Sequence, residues 1–261
     1  MHALPQQASP VIRLRDYQPP AWRVESIELE VELDIDASEI VARLQLRRDP
    51  AQSLPLRLDG ENLQLLSIAL DGRALDAETY RYDGCVLEID GARDGSMLET
   101  RVRVRPAANT ALEGLYLSGP RENGFLLTQC EAEGFRHITF FPDRPDVLST
   151  YTVTLRADRT RFPVLLAGGN PTGAGELEGG RHWARFVDPH PKPSYLFALV
   201  AGHLESIGRD YRTADGRSVQ LKIWAEADAI GRCGYALDAL ERAMRWDEQR
   251  YGRNYDLDVF H

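Results

Sequence analysis

The sequence predicts a mainly β protein, in which several short sheets precede a single amphipathic helix near the end of the chain. Hydrophobic and acidic residues alternate strictly from Ile27 to Asp36, which is the period of a strand with one buried and one solvated face. Turn signals then recur between short apolar runs, as Asp-Gly pairs at 59–60, 71–72, 83–84 and 90–91. Such pairs supply the positive φ that tight turns need, and many short strands separated by turns are typical of a β-sandwich or of stacked sheets.

The same alternation predicts the first hairpin. Apolar residues occupy the odd positions from Ile27 to Ile35, and after a short turn the pattern resumes from Ile40 to Leu46. Further strand candidates follow along the chain, at Leu54–Leu58, Leu63–Leu70, Tyr80–Tyr82, Val86–Ile89, Thr100–Val104 and Tyr151–Ala157.

The next part of the chain contains a glycine-rich segment and a run that is apolar on both faces of a strand. We expect residues 163–170 and 181–189 to pair as a hairpin around the glycine-rich segment 173–180. The run YLFALVAG at 195–202 is apolar on both faces and therefore predicts a central, buried strand.

The character of the sequence changes after Gly202. A hairpin with its turn at 215–216 precedes apolar residues at helical spacing over 228–251, and residues 256–260 begin another strand. A strand–helix–strand unit that stops within a strand cannot complete a core of its own. We therefore expect a complete β domain at 1–202 and the incomplete start of an α/β domain at 203–261.

Composition and charge limit the class of protein. Of the 261 residues, 43% are hydrophobic and 27% are charged, which is ordinary for a globular chain and argues against disorder. The formal net charge of −9 disfavours binding to nucleic acid or to an anionic membrane. Three widely spaced cysteines argue against a disulfide framework and for a cytoplasmic location. The N-terminal 20 residues lack the apolar core of a secretory signal.

Motifs for metal binding or nucleophilic catalysis are missing from the sequence. No two of the six histidines stand four residues apart, and neither H-E-x-x-H nor C-x-x-C occurs. There is no G-x-S-x-G elbow, and Cys130 has no histidine at a catalytic spacing, so a buried structural thiol is the simpler interpretation. We predict no catalytic residue and no metal ligand in this chain.

The densest polar chemistry lies in one segment, TQCEAEGFRHITFFPDRPDV at 128–147. If the chain is extended there, Gln129, Glu131 and Glu133 share one side. A carboxylate beside an amide oxygen suits an ammonium group, which offers three donors and a charge.

A structural interpretation of the same residues stays open. Glu131 or Glu133 would cap a helix that starts near Ala132, or would pair with Arg136. The acidic and basic residues that close the segment would then form a capping and salt-bridge cluster, at Asp143, Arg144 and Asp146.

Long motifs in the chain resemble a known family. ALEGLY at 111–116, the segment 128–147 and DPHPKPSYLFALVAG at 188–202 closely resemble the N-terminal region of the bacterial aminopeptidase N family, which comprises alanyl aminopeptidases among the gluzincin zinc metallopeptidases. The resemblance continues through RWDEQRYGRNYDLDVF at 245–260 and so covers most of the chain.

The resemblance implies a fold and a function. The fold would be a saddle-like, multi-sheet β domain followed by the truncated start of a thermolysin-like catalytic domain. The parent enzyme would use zinc to remove N-terminal amino acids from peptides. Glu131 would bind the α-amino group of the substrate, and Gln129 would line the first specificity subsite. Arg136, Asp143 and Arg144 would hold the segment in place.

The family's zinc ligands and its G-A-M-E-N motif are absent from these 261 residues. We therefore predict that this chain alone binds no catalytic zinc and is inactive, and that its partners are peptide substrates and the remainder of the catalytic domain. The exposed half-domain would leave an apolar surface on 203–261 that favours self-association. One alternative is a stand-alone, non-catalytic binding module. A carbohydrate-binding or adhesion sandwich has less support, because aromatic patches are missing.

Overall fold

A computed structural model describes residues 13–261, and most of them lie in β-strands. The strands are β1 (Trp22–Glu32), β2 (Ser38–Arg48), β3 (Leu56–Asp59), β4 (Gln64–Leu70), β5 (Arg73–Ala74), β6 (Tyr80–Tyr82), β7 (Val86–Ile89), β8 (Met97–Val104), β9 (Gly114–Ser118), β10 (Phe125–Gln129), β11 (Ser149–Asp158), β12 (Val164–Ala167), β13 (Asn170–Leu177), β14 (Arg181–Lys192), β15 (Leu199–Gly202), β16 (Glu205–Arg212), β17 (Ser218–Ala225) and β18 (Val259–Phe260). The α-helix, α1, spans Gly234–Tyr251. The predicted mainly β, multi-sheet fold is confirmed. The prediction about a secretory signal rests mostly on residues 1–12, which lie outside the described part.

An eight-stranded sheet forms the largest layer, in the order β13-β14-β11-β1-β2-β8-β4-β5. The predicted hairpin of β1 and β2 is confirmed, with Ile27 opposite Leu44 and Val31 opposite Ile40. The apolar face of these strands is fully buried, whereas the acidic face of β1 is partly exposed. The alternation in the sequence therefore places one face of this sheet against the core.

Basic residues of neighbouring strands neutralise the acidic face of β1. Arg43 on β2 contacts Glu30 at 2.6 Å and Glu99 on β8 at 2.7 Å, and Arg156 on β11 contacts Glu30 at 2.8 Å. The hydrogen bond from Arg43 is the main reason why the pKa of Glu30 lies below its ordinary value. This face carries a ladder of ion pairs across four strands.

Two smaller sheets close the core on the other side. One has the order β12-β15-β10-β9 and the other the order β3-β7-β6. Phe135 lies between the layers, with its ring centre 5.2 Å from both Phe141 and Phe197 in edge-on contacts. A single large cluster of buried apolar residues extends from Trp22 to Ala201.

The last part of the chain has its own small core. Strands β16, β17 and β18 form a three-stranded sheet, in which β18 runs parallel to β17. Helix α1 packs on this sheet through Leu237 and Met244 and ends at Gly252, whose φ of 63° is the left-handed conformation expected of a helix C-cap. The helix is shorter than the predicted 228–251, because residues 230–232 form a separate 3-10 turn.

The structure corrects the predicted hairpin beyond residue 160. Residues 163–169 do not pair with β14; β12 joins the four-stranded sheet beside β15. The partner of β14 is β13, so most of the glycine-rich segment 173–180 is strand rather than turn. The apolar run 195–202 begins with a 3-10 turn, and only its second half forms the inner strand β15.

One Asp-Gly pair differs from the other three. Gly72, Gly84 and Gly91 have positive φ as predicted. Gly60 does not, and its glycine is needed because a Cβ there would lie 2.3 Å from the ring of Phe140. Among residues 13–261, no helix is long and apolar enough to cross a membrane.

Candidate functional site

The segment predicted to carry the site forms a tight turn between β10 and a 3-10 turn at Phe135–His137. The backbone N–H of Gly134 donates to the Cys130 carbonyl oxygen at 2.8 Å and closes the loop over residues 130–134. A Cβ on Gly134 would lie 2.3 Å from the Gln129 carbonyl oxygen, so only glycine fits. No α-helix starts near Ala132, which overturns the helix-capping interpretation of Glu131 and Glu133.

Gln129 and Glu131 are both exposed at this turn. The Gln129 side-chain Nε2 donates to the Glu131 carbonyl oxygen at 3.0 Å, and the Glu131–Ala132 peptide bond is cis. This bond uses one N–H of the Gln129 amide and leaves its Oε1 as an acceptor. Within residues 13–261 the Glu131 carboxylate makes no ion pair and no hydrogen bond. The turn thus presents two uncommitted oxygen acceptors from neighbouring side chains.

The alternation of β10 sets which face of the sheet carries Gln129. Leu126 points into the core and is fully buried, whereas Phe125 and Leu127 lie half-buried on the opposite face with Gln129. Cys130 turns back into the core, and burial raises the pKa of its thiol to about 12. This agrees with the prediction of a structural thiol rather than a nucleophile.

The structure brings Arg136 and Asp143 together. The Asp143 carboxylate accepts hydrogen bonds from the backbone N–H of Arg136 at 3.1 Å and from its Nε at 3.2 Å. Arg136 also contacts Glu133 at 3.4 Å, which is the ion pair that the structural interpretation of the segment expects. Arg144 instead pairs with Asp146 and donates to the Gln18 carbonyl oxygen, so it fixes the chain entering β1.

Several neighbours of the turn come from distant parts of the sequence and were missed by sequence reasoning. His137 lies 3.3 Å from Glu113, the residue before β9, and 3.4 Å from Asn62. Glu61 lies 3.6 Å from Arg136. The only available signals were the Asp-Gly pair before Glu61 and the ALEGLY motif around Glu113, and neither indicates a contact with this segment.

A large apolar cavity of about 960 Å³ opens beside the outward face of the four-stranded sheet. Phe125 and Val200 line it from that sheet, and Ile223, Trp224 and Phe260 line it from the last part of the chain. Phe125 lies on the same face of β10 as Gln129 but at the other end of the strand, and Gln129 is not among the residues that line the cavity.

The described residues do not provide a zinc site. No group of three or more histidine, cysteine, aspartate or glutamate side chains in residues 13–261 is arranged to hold a metal ion. The acidic residues around the turn are engaged with Arg136 and His137 or stand apart from one another. Zinc chemistry would therefore need ligands that these residues do not supply.

Comparison with known proteins identifies the class to which this multi-sheet β domain belongs. Residues 25–196 match the family described as Peptidase M1 N-terminal domain. The chain belongs to this family. It is 49% identical to aminopeptidase N of Caulobacter vibrioides over 95% of its length and 42% identical to aminopeptidase N of Escherichia coli over 94%. It spans 28% of the length of each of these relatives.

Solved structures agree with this assignment. Aminopeptidase A of Legionella pneumophila, in complex with aspartic acid, is 32% identical and superposes with a TM-score of 0.87, covering 96% of this chain and 29% of that chain. The M1 zinc metallopeptidase of Deinococcus radiodurans is 17% identical, with a TM-score of 0.76 over 92% of this chain and 56% of that chain. At that identity the likeness shows the shared fold alone.

Proposed function

We propose that this chain is part of a longer zinc aminopeptidase that removes N-terminal amino acids from peptides, and that Glu131 binds the α-amino group of the substrate. The family assignment and the relatives named aminopeptidase N support this proposal. Since the chain covers 28% of those relatives, the catalytic zinc would be held by residues outside it.

The geometry at the turn carries the proposal. The Gln129 Nε2 donates to the Glu131 carbonyl oxygen, and the Gln129 Oε1 and the Glu131 carboxylate remain as acceptors. A substrate ammonium offers three donors and one positive charge, which matches one carboxylate and one neutral oxygen. Gln129 would thereby line the subsite for the first residue of the peptide. Binding only a free amine restricts the enzyme to chain ends.

The chain alone would be inactive. An exposed carboxylate in water contributes about 0–1 kcal/mol to an ion pair, which does not hold a peptide at useful concentrations. The catalytic domain would begin at residue 203, and its remainder, outside these 261 residues, would cover the apolar cavity.

A cytoplasmic location, which the cysteine usage favours, is part of the same proposal. The alternative is a stand-alone, non-catalytic module that binds peptides through the same turn.

The test is the Glu131→Gln variant of the longer protein, assayed with alanine p-nitroanilide. We expect kcat/KM to fall about 100-fold or more. The variant lacks the negative charge that would bind the substrate ammonium, and in the longer protein the closed site would hold no water to replace it. Glu122→Gln is the matched control, since Glu122 is an exposed glutamate in the turn that leads into β10. An unchanged kcat/KM in Glu131→Gln would contradict the proposed role.

A second measurement separates the two candidate functions. The mass of the native polypeptide in its source cells is determined by immunoblot with antibody raised against this chain. A band roughly three to four times 29.4 kDa supports the aminopeptidase, since the chain spans 28% of the length of its relatives. A band at 29.4 kDa supports the stand-alone module.

A further inference from the structure

We infer that Asp143 is a positioning residue for the amine-binding turn: its carboxylate fixes Arg136 and, through the 3-10 turn at Phe135–His137, the orientation of Glu131. This inference rests on the proposed function of Glu131. It concerns a buried side chain, which would act only through its hydrogen bonds.

Asp143 is the most completely bonded carboxylate near the site. Its side chain is 1% exposed, and its Oδ2 accepts from the backbone N–H and the Nε of Arg136. Its Oδ1 accepts from the hydroxyl of Ser194. Its own backbone N–H donates to Asp59 at 3.0 Å, and its carbonyl oxygen accepts from Arg136 at 3.2 Å. Segments far apart in sequence therefore converge on one residue.

These bonds act on the first turn after Glu131. Arg136 is the second residue of the 3-10 turn, and its backbone N–H has no acceptor within that turn. The Asp143 carboxylate accepts this hydrogen bond instead. Gly134 precedes that turn and is tied to Cys130 by the hydrogen bond that closes the loop around Glu131. The Asp143 carboxylate and the Glu131 loop are thus joined by two consecutive, hydrogen-bonded turns.

The alternative is that Asp143 serves only the stability of the fold. Phe135 already anchors the turn through its aromatic contacts in the core, so the loop has an apolar attachment independent of Asp143. What Phe135 does not fix is the direction in which the exposed side of the turn faces. The three bonds between Arg136 and Asp143 fix that direction, and binding geometry is sensitive to displacements of about 1 Å.

The experiment is a double-mutant cycle in the longer protein, with Asp143→Asn and Glu131→Gln alone and combined, assayed on alanine p-nitroanilide. We expect Asp143→Asn to lower kcat/KM about 10- to 100-fold, with a raised KM. In the Glu131→Gln background the same substitution should lower kcat/KM less than about threefold, because the positioned carboxylate is already absent. Equal losses in the two backgrounds would overturn the inference, since a purely structural effect does not depend on Glu131.

Two further variants keep the test decisive. Ser194→Ala removes the hydroxyl that donates to Asp143 Oδ1 and so loosens the carboxylate that holds Arg136. If Asp143→Asn does not fold, Ser194→Ala takes its place in the cycle, where it should lower kcat/KM with Glu131 present and change it little in the Glu131→Gln background. Glu30→Gln, on the outer face of the large sheet, controls for the loss of a salt-bridged carboxylate and should leave kcat/KM unchanged. If Glu131→Gln itself retains full kcat/KM, the proposed function fails and the positioning inference fails with it. If Glu131→Gln lowers kcat/KM but Asp143→Asn causes equal losses in the two backgrounds, the proposed function stands and the positioning inference fails.

Discussion

Cys130 is a buried residue between two exposed ones in the segment that we propose to bind substrate. It lies between Gln129 and Glu131, yet its side chain turns into the core and is 2% exposed. Exposed residues on either side and a buried one between them are what an extended strand end requires. The sequence predicted the alternation from residue spacing, and it predicted a buried structural thiol because no histidine stands at a catalytic spacing from Cys130.

The thiols of this chain should differ in reactivity. Burial raises the pKa of Cys130 to about 12, so almost no thiolate is present at pH 8, whereas Cys85 is exposed. We expect Ellman's reagent to modify Cys85 rapidly in the native protein and Cys130 only after unfolding in guanidinium chloride. Cys85→Ser should remove the fast phase and serves as the control. A Cys130→Ser variant that loses the fast phase would contradict this assignment.

At the residue scale the sequence could not rank the two interpretations of segment 128–147. The spacing of Gln129 and Glu131 indicates a shared side, but a helix cap uses the same residue types. The backbone excludes only the helix cap, since Gly134 closes a turn instead of opening a helix, whereas the ion pair of Glu133 with Arg136 is present. Asp59 and Ser194 were beyond prediction because their contacts with Asp143 join residues 84 and 51 positions apart.

At the scale of the element, periodicity predicted which segments form strands better than it predicted which strands pair with each other. The hairpin of β1 and β2 follows from alternation alone, but β12 was assigned to the wrong partner because pairing depends on the topology of the whole sheet. Strand β13 was mistaken for a turn because it contains Gly173 and Gly175. The indole of Trp183 on β14 lies over both positions, where a Cβ would be 3.0 and 2.8 Å away. A large aromatic side chain thus replaces the packing that glycine lacks.

The ion-pair ladder on the large sheet should make stability depend on pH. Arg43 lowers the folded-state pKa of Glu30, so this carboxylate stabilises the fold above its unfolded pKa, and the stabilisation is lost as pH falls through the lowered folded pKa. We expect Glu30→Gln to reduce the free energy of unfolding by about 0.5–1 kcal/mol at pH 7 and by less at about pH 3, because the stabilisation is lost as pH falls. Urea denaturation of the variant and of the unaltered chain at both pH values measures this difference in the free energy of unfolding. Glu28→Gln is the control, since Glu28 lies 3.9 Å from Arg43, and an equal effect of the two would refute the argument.

At the scale of the whole molecule, the last prediction concerns the apolar cavity between the four-stranded sheet and residues 203–261. Its lining includes the half-buried side chains of Phe125, Leu166 and Ile223. Apolar surface of this extent drives association when nothing covers it. We expect the chain alone to bind 8-anilinonaphthalene-1-sulfonate in its native state and to self-associate with rising concentration in sedimentation velocity.

A charge placed in the cavity should abolish both effects. Leu166→Glu puts a carboxylate on the outward face of β12 without touching the core, so dye binding and self-association should fall together while the thermal midpoint changes little. Leu112→Glu is the matched control, because Leu112 is 53% exposed and is not among the residues that line the cavity. In the longer protein the same surface should be covered, and the dye should not bind. Equal dye binding by Leu166→Glu and the unaltered chain would show that the cavity is not the associating surface.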